Sequence, residues 1–168
     1  DKQLIPASTL KLLTALVAFE YLGPGYRFST DFYIDPQANL KVKGYGDPLL
    51  ISEELRALSA QLKTKLDQYQ NLILDGLLFS QPLQISGVTS SNNPYDAPNG
   101  ALCVNFNTIK FKKNGPNTFI SDEPQTPLMS FALKRVKLSG LNKGRIILSR
   151  EDNENLIYAG HLIRYFLY

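Results

Sequence analysis

The run from Leu4 to Leu22 constrains this chain most. It has the length of a helix, and after Ala15 it carries no polar side chain until Glu20. A helix that is apolar on every side belongs inside a protein, so the run predicts a buried helix. Ser8, Lys11 and Thr14 interrupt it at intervals of three, and Thr9 stands beside the first of them. That spacing stacks the polar groups along one stripe. Gly23-Pro24-Gly25 follows, a glycine stop with a proline behind it.

Lys11 is out of place in this stripe. A first-turn lysine faces the positive end of the helix dipole, and a capping box would put Glu or Gln three residues after the serine. Burial and the helix start both favour the neutral amine. A neutral amine one turn from a hydroxyl is a general base beside a nucleophile, so Ser8 and Lys11 are the candidate catalytic pair. The plainer alternative is a helix-capping serine followed by a lysine whose stem snorkels to water.

The order Pro6-Ala7-Ser8-Thr9-Leu10-Lys11 resembles the Ser-x-x-Lys motif of penicillin-binding proteins and serine β-lactamases. Three further stretches are similar to one branch of them, the D-alanyl-D-alanine carboxypeptidase/endopeptidases of the penicillin-binding protein 4 type, peptidase family S13. They are Leu22-Gly23-Pro24-Gly25-Tyr26-Arg27-Phe28, the turn from Gly44 to Leu50, and Tyr95-Asp96-Ala97-Pro98 leading into Ala101–Phe106. The four occur in the family's order and extend over most of the chain.

The resemblance implies acyl transfer on peptidoglycan stem peptides. Ser8 would attack the D-Ala-D-Ala carbonyl, Lys11 would take its proton, and Thr9, Leu10 and Thr14 would support the site. Tyr95 would help to form the substrate cleft, and a β-lactam would acylate Ser8. The acidic residue that some members carry upstream of that tyrosine is replaced here by Ser90 and Ser91. The family's Lys-Thr-Gly strand does not occur; Lys143-Gly144 is the nearest sequence. Ser91-Asn92-Asn93 imitates the second motif, Ser-x-Asn, but it comes too early and in a turn-rich loop, so it reads as a decoy. The chain is therefore expected to be a piece of a larger envelope protein, cut at both ends, or an unusually short relative of one, inactive or nearly so unless a second chain completes the site, with a periplasmic or extracytoplasmic address. The competing expectation is a non-catalytic module that binds peptidoglycan or serves the envelope structurally.

The resemblance and the residue patterns together divide the chain into four. Residues 1–26 carry the motif helix of a transpeptidase-like domain, 27–100 an inserted α/β part with the substrate-side loop, 101–154 a β-rich insert, and 155–168 a last helix. The fold class expected is α+β, part of a β-lactamase/transpeptidase-like fold.

Within that frame, Phe28–Ile34 and Leu40–Lys43 read as a hairpin around the turn Asp35–Asn39. Asp47 before Pro48 reads as turn chemistry. Ser52–Leu66 is an amphipathic helix with Leu55, Leu58, Leu62 and Leu66 on one face, laid over a sheet. Asn71–Asp75 is a short strand, extended or paired by Leu77–Phe79. Residues 81–100, rich in Ser, Asn, Pro and Gly, form a long loop of the kind that often carries function. Ala101–Phe111 reads as a strand or a bent pair of strands, Thr118–Ser121, Val136–Leu138 and Arg145–Leu148 as strands, and Asn155–Tyr168 as a helix.

The function classes left out are clear. A net charge of +3 without a basic cluster interleaved with aromatics gives no nucleic-acid footprint. No segment is long and apolar enough to span a membrane. No metal-ligand cluster, phosphate loop or cofactor motif occurs. Cys103 stands alone in an apolar run as a buried thiol, and His161 as a helix-surface or packing residue.

Overall fold

The computed structural model describes residues 4–66, 68–79, 83 and 85–168. After a tight turn at Ala7–Thr9 the order is α1 (Leu10–Leu22), β1 (Thr30–Ile34), β2 (Leu40–Gly44), α2 (Ser52–Lys63) and β3 (Leu72–Asp75). Then come β4 (Thr108–Lys113), β5 (Phe119–Ser121), α3 (Ser130–Leu138), β6 (Lys143–Ile147) and α4 (Asp152–Leu167). The class is mixed α+β, with two three-stranded sheets, β1-β2-β3 and β5-β4-β6.

The hairpin forms as its sequence predicts. β1 and β2 pair antiparallel from Thr30↔Gly44 to Ile34↔Leu40. Asp35 closes the turn by accepting the backbone N–H groups of Gln37 and Asn39 at 3.0 and 2.9 Å. These bonds hold its carboxyl below the usual range, Asn39 contributing most. β3 then joins β2 in parallel, Leu40↔Leu72 to Lys43↔Asp75, a pairing that α2 makes possible as the crossover. Leu77–Phe79 is a turn and adds no strand. Asp47 accepts the N–H of Leu49 at 2.9 Å, as a turn aspartate does.

α4 is the centre of the core. Tyr158, Ala159, Leu162, Ile163, Phe166 and Leu167 are buried, the stripe of a one-sided helix. Asp152 and Glu154 in its first turn and Arg164 in its last suit the dipole. α2 packs against α4 rather than over a sheet alone. One apolar cluster takes in Leu40 and Val42 of β2, Leu55 of α2, Phe111 of β4, Val136 of α3 and Leu148 after β6. Segments 27–100, 101–154 and 155–168 therefore share a core.

Further expectations need correction. Val136–Leu138 is the end of helix α3, where Ala132 and Val136, four apart, enter the core. A three-residue apolar stretch is too short to reveal its period. More consequential is the burial expected of the motif helix. No residue of α1 is buried, and Leu12, Leu16 and Phe19 are 75%, 64% and 62% exposed. A helix apolar on all sides needs neighbours on all sides, and no described residue covers it.

Between Pro98 and β4 the chain bends, and of the strand expected over Ala101–Phe111 only the part from Thr108 forms. Asn105, Phe106 and Asn107 all have positive φ, 49°, 58° and 51°. Consecutive left-handed residues cost about 1–2 kcal/mol each, and a buried polar cluster holds them. The Asn105 carboxamide accepts the Ser52 N–H at 2.9 Å and donates to Ser52 Oγ at 2.9 Å, and Thr126 Oγ1 donates to the same oxygen at 2.8 Å. Cys103 in this bend is half-buried, and burial pushes its thiol up to about 11.

Candidate active site

Ser8 lies in the tight turn that opens α1, and Lys11 one turn along the helix. Lys11 Nζ donates to Ser8 Oγ at 3.1 Å, so the structure brings together the two residues paired on sequence. Both are exposed. Ser8 does not cap the helix; the capping position falls at Thr9, and no side chain caps it. Thr9 Oγ1 donates back to the Pro6 carbonyl, and Thr14 Oγ1 to Leu10 O at 3.2 Å. Ala7, just before the serine, has φ 46°, a left-handed conformation that is unfavourable for a residue with a Cβ. Strained backbone of this kind concentrates at functional positions. Gly23 ends α1 with φ 77° and donates to Phe19 O at 3.0 Å.

Tyr95 sits apart from this pair in a short turn, Pro94–Asp96, and is 74% exposed. Its hydroxyl accepts from Asn93 Nδ2 at 2.6 Å, and no hydrogen bond among the described residues joins it to Ser8 or Lys11. Ser91 is held in the loop: its Oγ donates to Asp96 Oδ2 at 2.5 Å and accepts the Asn93 N–H at 3.0 Å. Gln81, Pro82 and Gln84 of this loop lie outside the described residues.

Two residues not singled out on sequence hold the Tyr95 loop. Asp96, only 1% exposed, accepts from Thr89 N at 2.8 Å, Thr89 Oγ1 at 2.6 Å and Ser91 Oγ. Those bonds, from Ser91 first, keep its carboxyl below the usual range. Arg150 reaches back to the Thr89 carbonyl at 3.1 Å and to the Ser91 carbonyl. A cleft of about 310 Å³ opens beside them, with Ile85, Val88 and Pro98 on its apolar side and Asp96, Arg150 and Asp152 on its polar side. Asp96 was legible as the neighbour of Tyr95. Nothing near Arg150 in sequence marked it, because its partners lie some sixty residues earlier.

His161 lies on the exposed face of α4, stacked on Phe131 with ring centroids 6.2 Å apart. Among the described residues no group of three His, Cys, Asp or Glu could hold a metal ion, and no helix is long and apolar enough to cross a membrane.

A mixed α+β fold with a serine and a lysine paired at the head of an apolar helix defines the class to compare. The sequence profile of the D-Ala-D-Ala carboxypeptidase 3 (S13) family matches residues 1–160, and the chain belongs to that family. A D-alanyl-D-alanine carboxypeptidase of Actinomadura sp. (strain R39) is 37% identical over 68 residues, 36% of this chain and 13% of that protein. The crystal structure of penicillin binding protein 4 (dacB) from Haemophilus influenzae superposes with a TM-score of 0.62 at 19% identity. It covers 98% of this chain and 46% of its own. That likeness shows the fold. The chain thus spans about half of the solved protein, and its 68-residue match covers about an eighth of the curated relative.

Proposed function

We propose that this chain carries the nucleophile segment of a serine D-Ala-D-Ala carboxypeptidase/endopeptidase that acts on peptidoglycan stem peptides outside the cytoplasm. The 3.1 Å contact between Lys11 Nζ and Ser8 Oγ, in a chain of the S13 family, carries the reading. In the resting contact the lysine donates. For catalysis it gives up one proton, and its lone pair then accepts the proton of Ser8 Oγ. The Oγ bonds to the carbonyl carbon of the D-Ala-D-Ala bond, and the oxyanion meets the free N–H groups of the helix start, that of Ser8 among them. The C–N bond breaks, D-alanine leaves as the amine with the transferred proton, and water hydrolyses the peptidyl ester on Ser8. A β-lactam acylates the same oxygen without losing a fragment, because its amide lies in a ring.

Residues 1–26 belong, in this reading, to a transpeptidase-like domain, and the rest of the chain is inserted after it. A cover over α1 is part of the reading, since a helix apolar on all sides needs neighbours on all sides. Tyr95, presented by the Asp96–Arg150 loop, borders the substrate cleft. The exposure of Ser8 and Lys11 and the lack of a Lys-Thr-Gly sequence favour the second reading for the chain alone, a non-catalytic wall-binding or structural module.

Fluorescent penicillin separates the two. A longer chain containing both this segment and a Lys-Thr-Gly strand is expected to label covalently. Ser8→Ala abolishes that label, and Lys11→Gln slows it by about a hundredfold or more. Label that survives Ser8→Ala, or no label on the longer chain, would falsify the enzymatic reading.

A further inference from the structure

Charge is divided unevenly along this chain. Residues 108–150 hold nine Lys or Arg against two carboxylates, Asp122 and Glu123, although the whole chain sums to +3. The remainder is therefore net acidic. Much of the positive charge stands on one face of the sheet β5-β4-β6. Ile109 and Phe111 of β4 and Ile146 of β6 turn into the core, so Lys110, Lys112, Lys143 and Arg145 share the outer face.

The register sets these cations directly against one another. Lys110 lies opposite Arg145, and Lys112 opposite Lys143. Like charges facing across a strand pair destabilise a sheet. The two carboxylates answer only half of the charge. Asp122 pairs with Lys112 at 2.9 Å, and Glu123 pairs with Arg145. Asp122 also feels Lys110 and Lys143, and its carboxyl, held chiefly by Lys112, lies below the usual range. Among the described residues Lys110 and Lys143 have no ion-pair partner.

The arrangement suits an extended chain of carboxylates. Lys110 and Lys143, the two cations without a carboxylate, are diagonal neighbours across β4 and β6, about 7–8 Å apart. Side chains on alternate residues of an extended peptide repeat at the same distance. A membrane-seating face would mix its cations with large exposed apolar groups, and here the face offers half-buried Ile120 opposite Lys112.

We propose that the outer face of β5-β4-β6 is a docking surface for a polycarboxylate strand, supplied by the stem peptides of the cell wall, with Lys110 and Lys143 as the cations that the strand completes. The source rests on the function proposed above; the carboxylate chemistry rests on the register. The surface is distinct from Ser8 and Lys11 and would hold the polymer whether or not a bond is being cut.

Co-sedimentation of the 168-residue chain with purified peptidoglycan sacculi tests this. The double variant Lys110→Gln/Lys143→Gln is expected to sediment about fivefold less. Lys63→Gln/Lys65→Gln, an equal loss of charge elsewhere, is expected to sediment like the parent. Raising the salt from about 0.05 M to about 0.3 M should release the parent severalfold. Sacculi whose carboxyls have been amidated should fail to bind. Removing Lys110 and Lys143 relieves two like-charge pairs, so the variant's melting temperature should equal or exceed the parent's, which excludes unfolding as the cause. The single variants, each with a partial loss, give a second readout. Unchanged sedimentation of the double variant, binding to amidated sacculi, or capture by phosphatidylglycerol vesicles with none by sacculi would each overturn the proposal. Penicillin labelling is read separately, so failure of the catalytic reading leaves the sacculus result intact.

Discussion

Helices α1 and α4 are close in length and both rich in leucine, yet the chain treats them in opposite ways. α4 buries one stripe from Asn155 to Leu167 and leaves Ile157, His161 and Tyr165 outside. α1 buries nothing. The difference lies in how apolar residues are arranged, not in how many there are. A one-sided helix completes a core from a single direction, whereas a helix apolar all round must be enclosed. The candidate catalytic pair sits on the second kind, so its chemistry depends on enclosure, while the body holding Tyr95 is already closed.

The sharpest test of the contrast is Leu162→Ala in α4. Leu162 is fully buried, and its truncation should cost about 3 kcal/mol in urea unfolding. A comparable penalty from Leu16→Ala in α1 would break the comparison. Next is Gly44→Ala. A Cβ there would stand 2.1 Å from the Ala101 carbonyl oxygen, a backbone atom that cannot swing aside, where β2 meets the bend before β4. The expected cost is about 2–3 kcal/mol by the same measurement.

A smaller effect is expected at Asp96. Its carboxyl titrates below the ordinary 3.8 in the folded chain, so it contributes stability at neutral pH that is lost as pH falls through the depressed value. The gap in stability between the parent and Asp96→Asn should therefore close as pH drops below 3.8, as followed by thermal melts across an acid series. A gap that widens in acid would contradict the loop geometry. The smallest change in stability belongs to Leu12→Gln/Leu16→Gln. It should move the unfolding midpoint of the body by no more than about 0.5 kcal/mol while reducing self-association seen in light scattering.

Much of the fold is legible in the sequence. Asp35–Asn39 between two alternating runs announced the β1–β2 turn, and the leucine face of α2 and the periodicity of α4 announced both helices. Ser8 and Lys11 lie within one turn, so their proximity is a property of the helix itself. What failed to show was either too short to have a period, as at Val136–Leu138, or carried by partners distant in sequence. Arg150 finds Thr89 and Ser91, and Asn105 finds Ser52 and Thr126, across separations that no local pattern records.

The sequence by itself determined the local structure and the spacing of its functional groups, because hydrogen bonds within a helix and the chemistry of a turn need only near neighbours. The tertiary structure alone decided which apolar faces meet water, which strands lie side by side, and which cations oppose each other across β4 and β6. Those outcomes depend on contacts between distant segments. They explain why α1, the most apolar stretch of the chain, stands in solvent here while α4 forms the centre of the core.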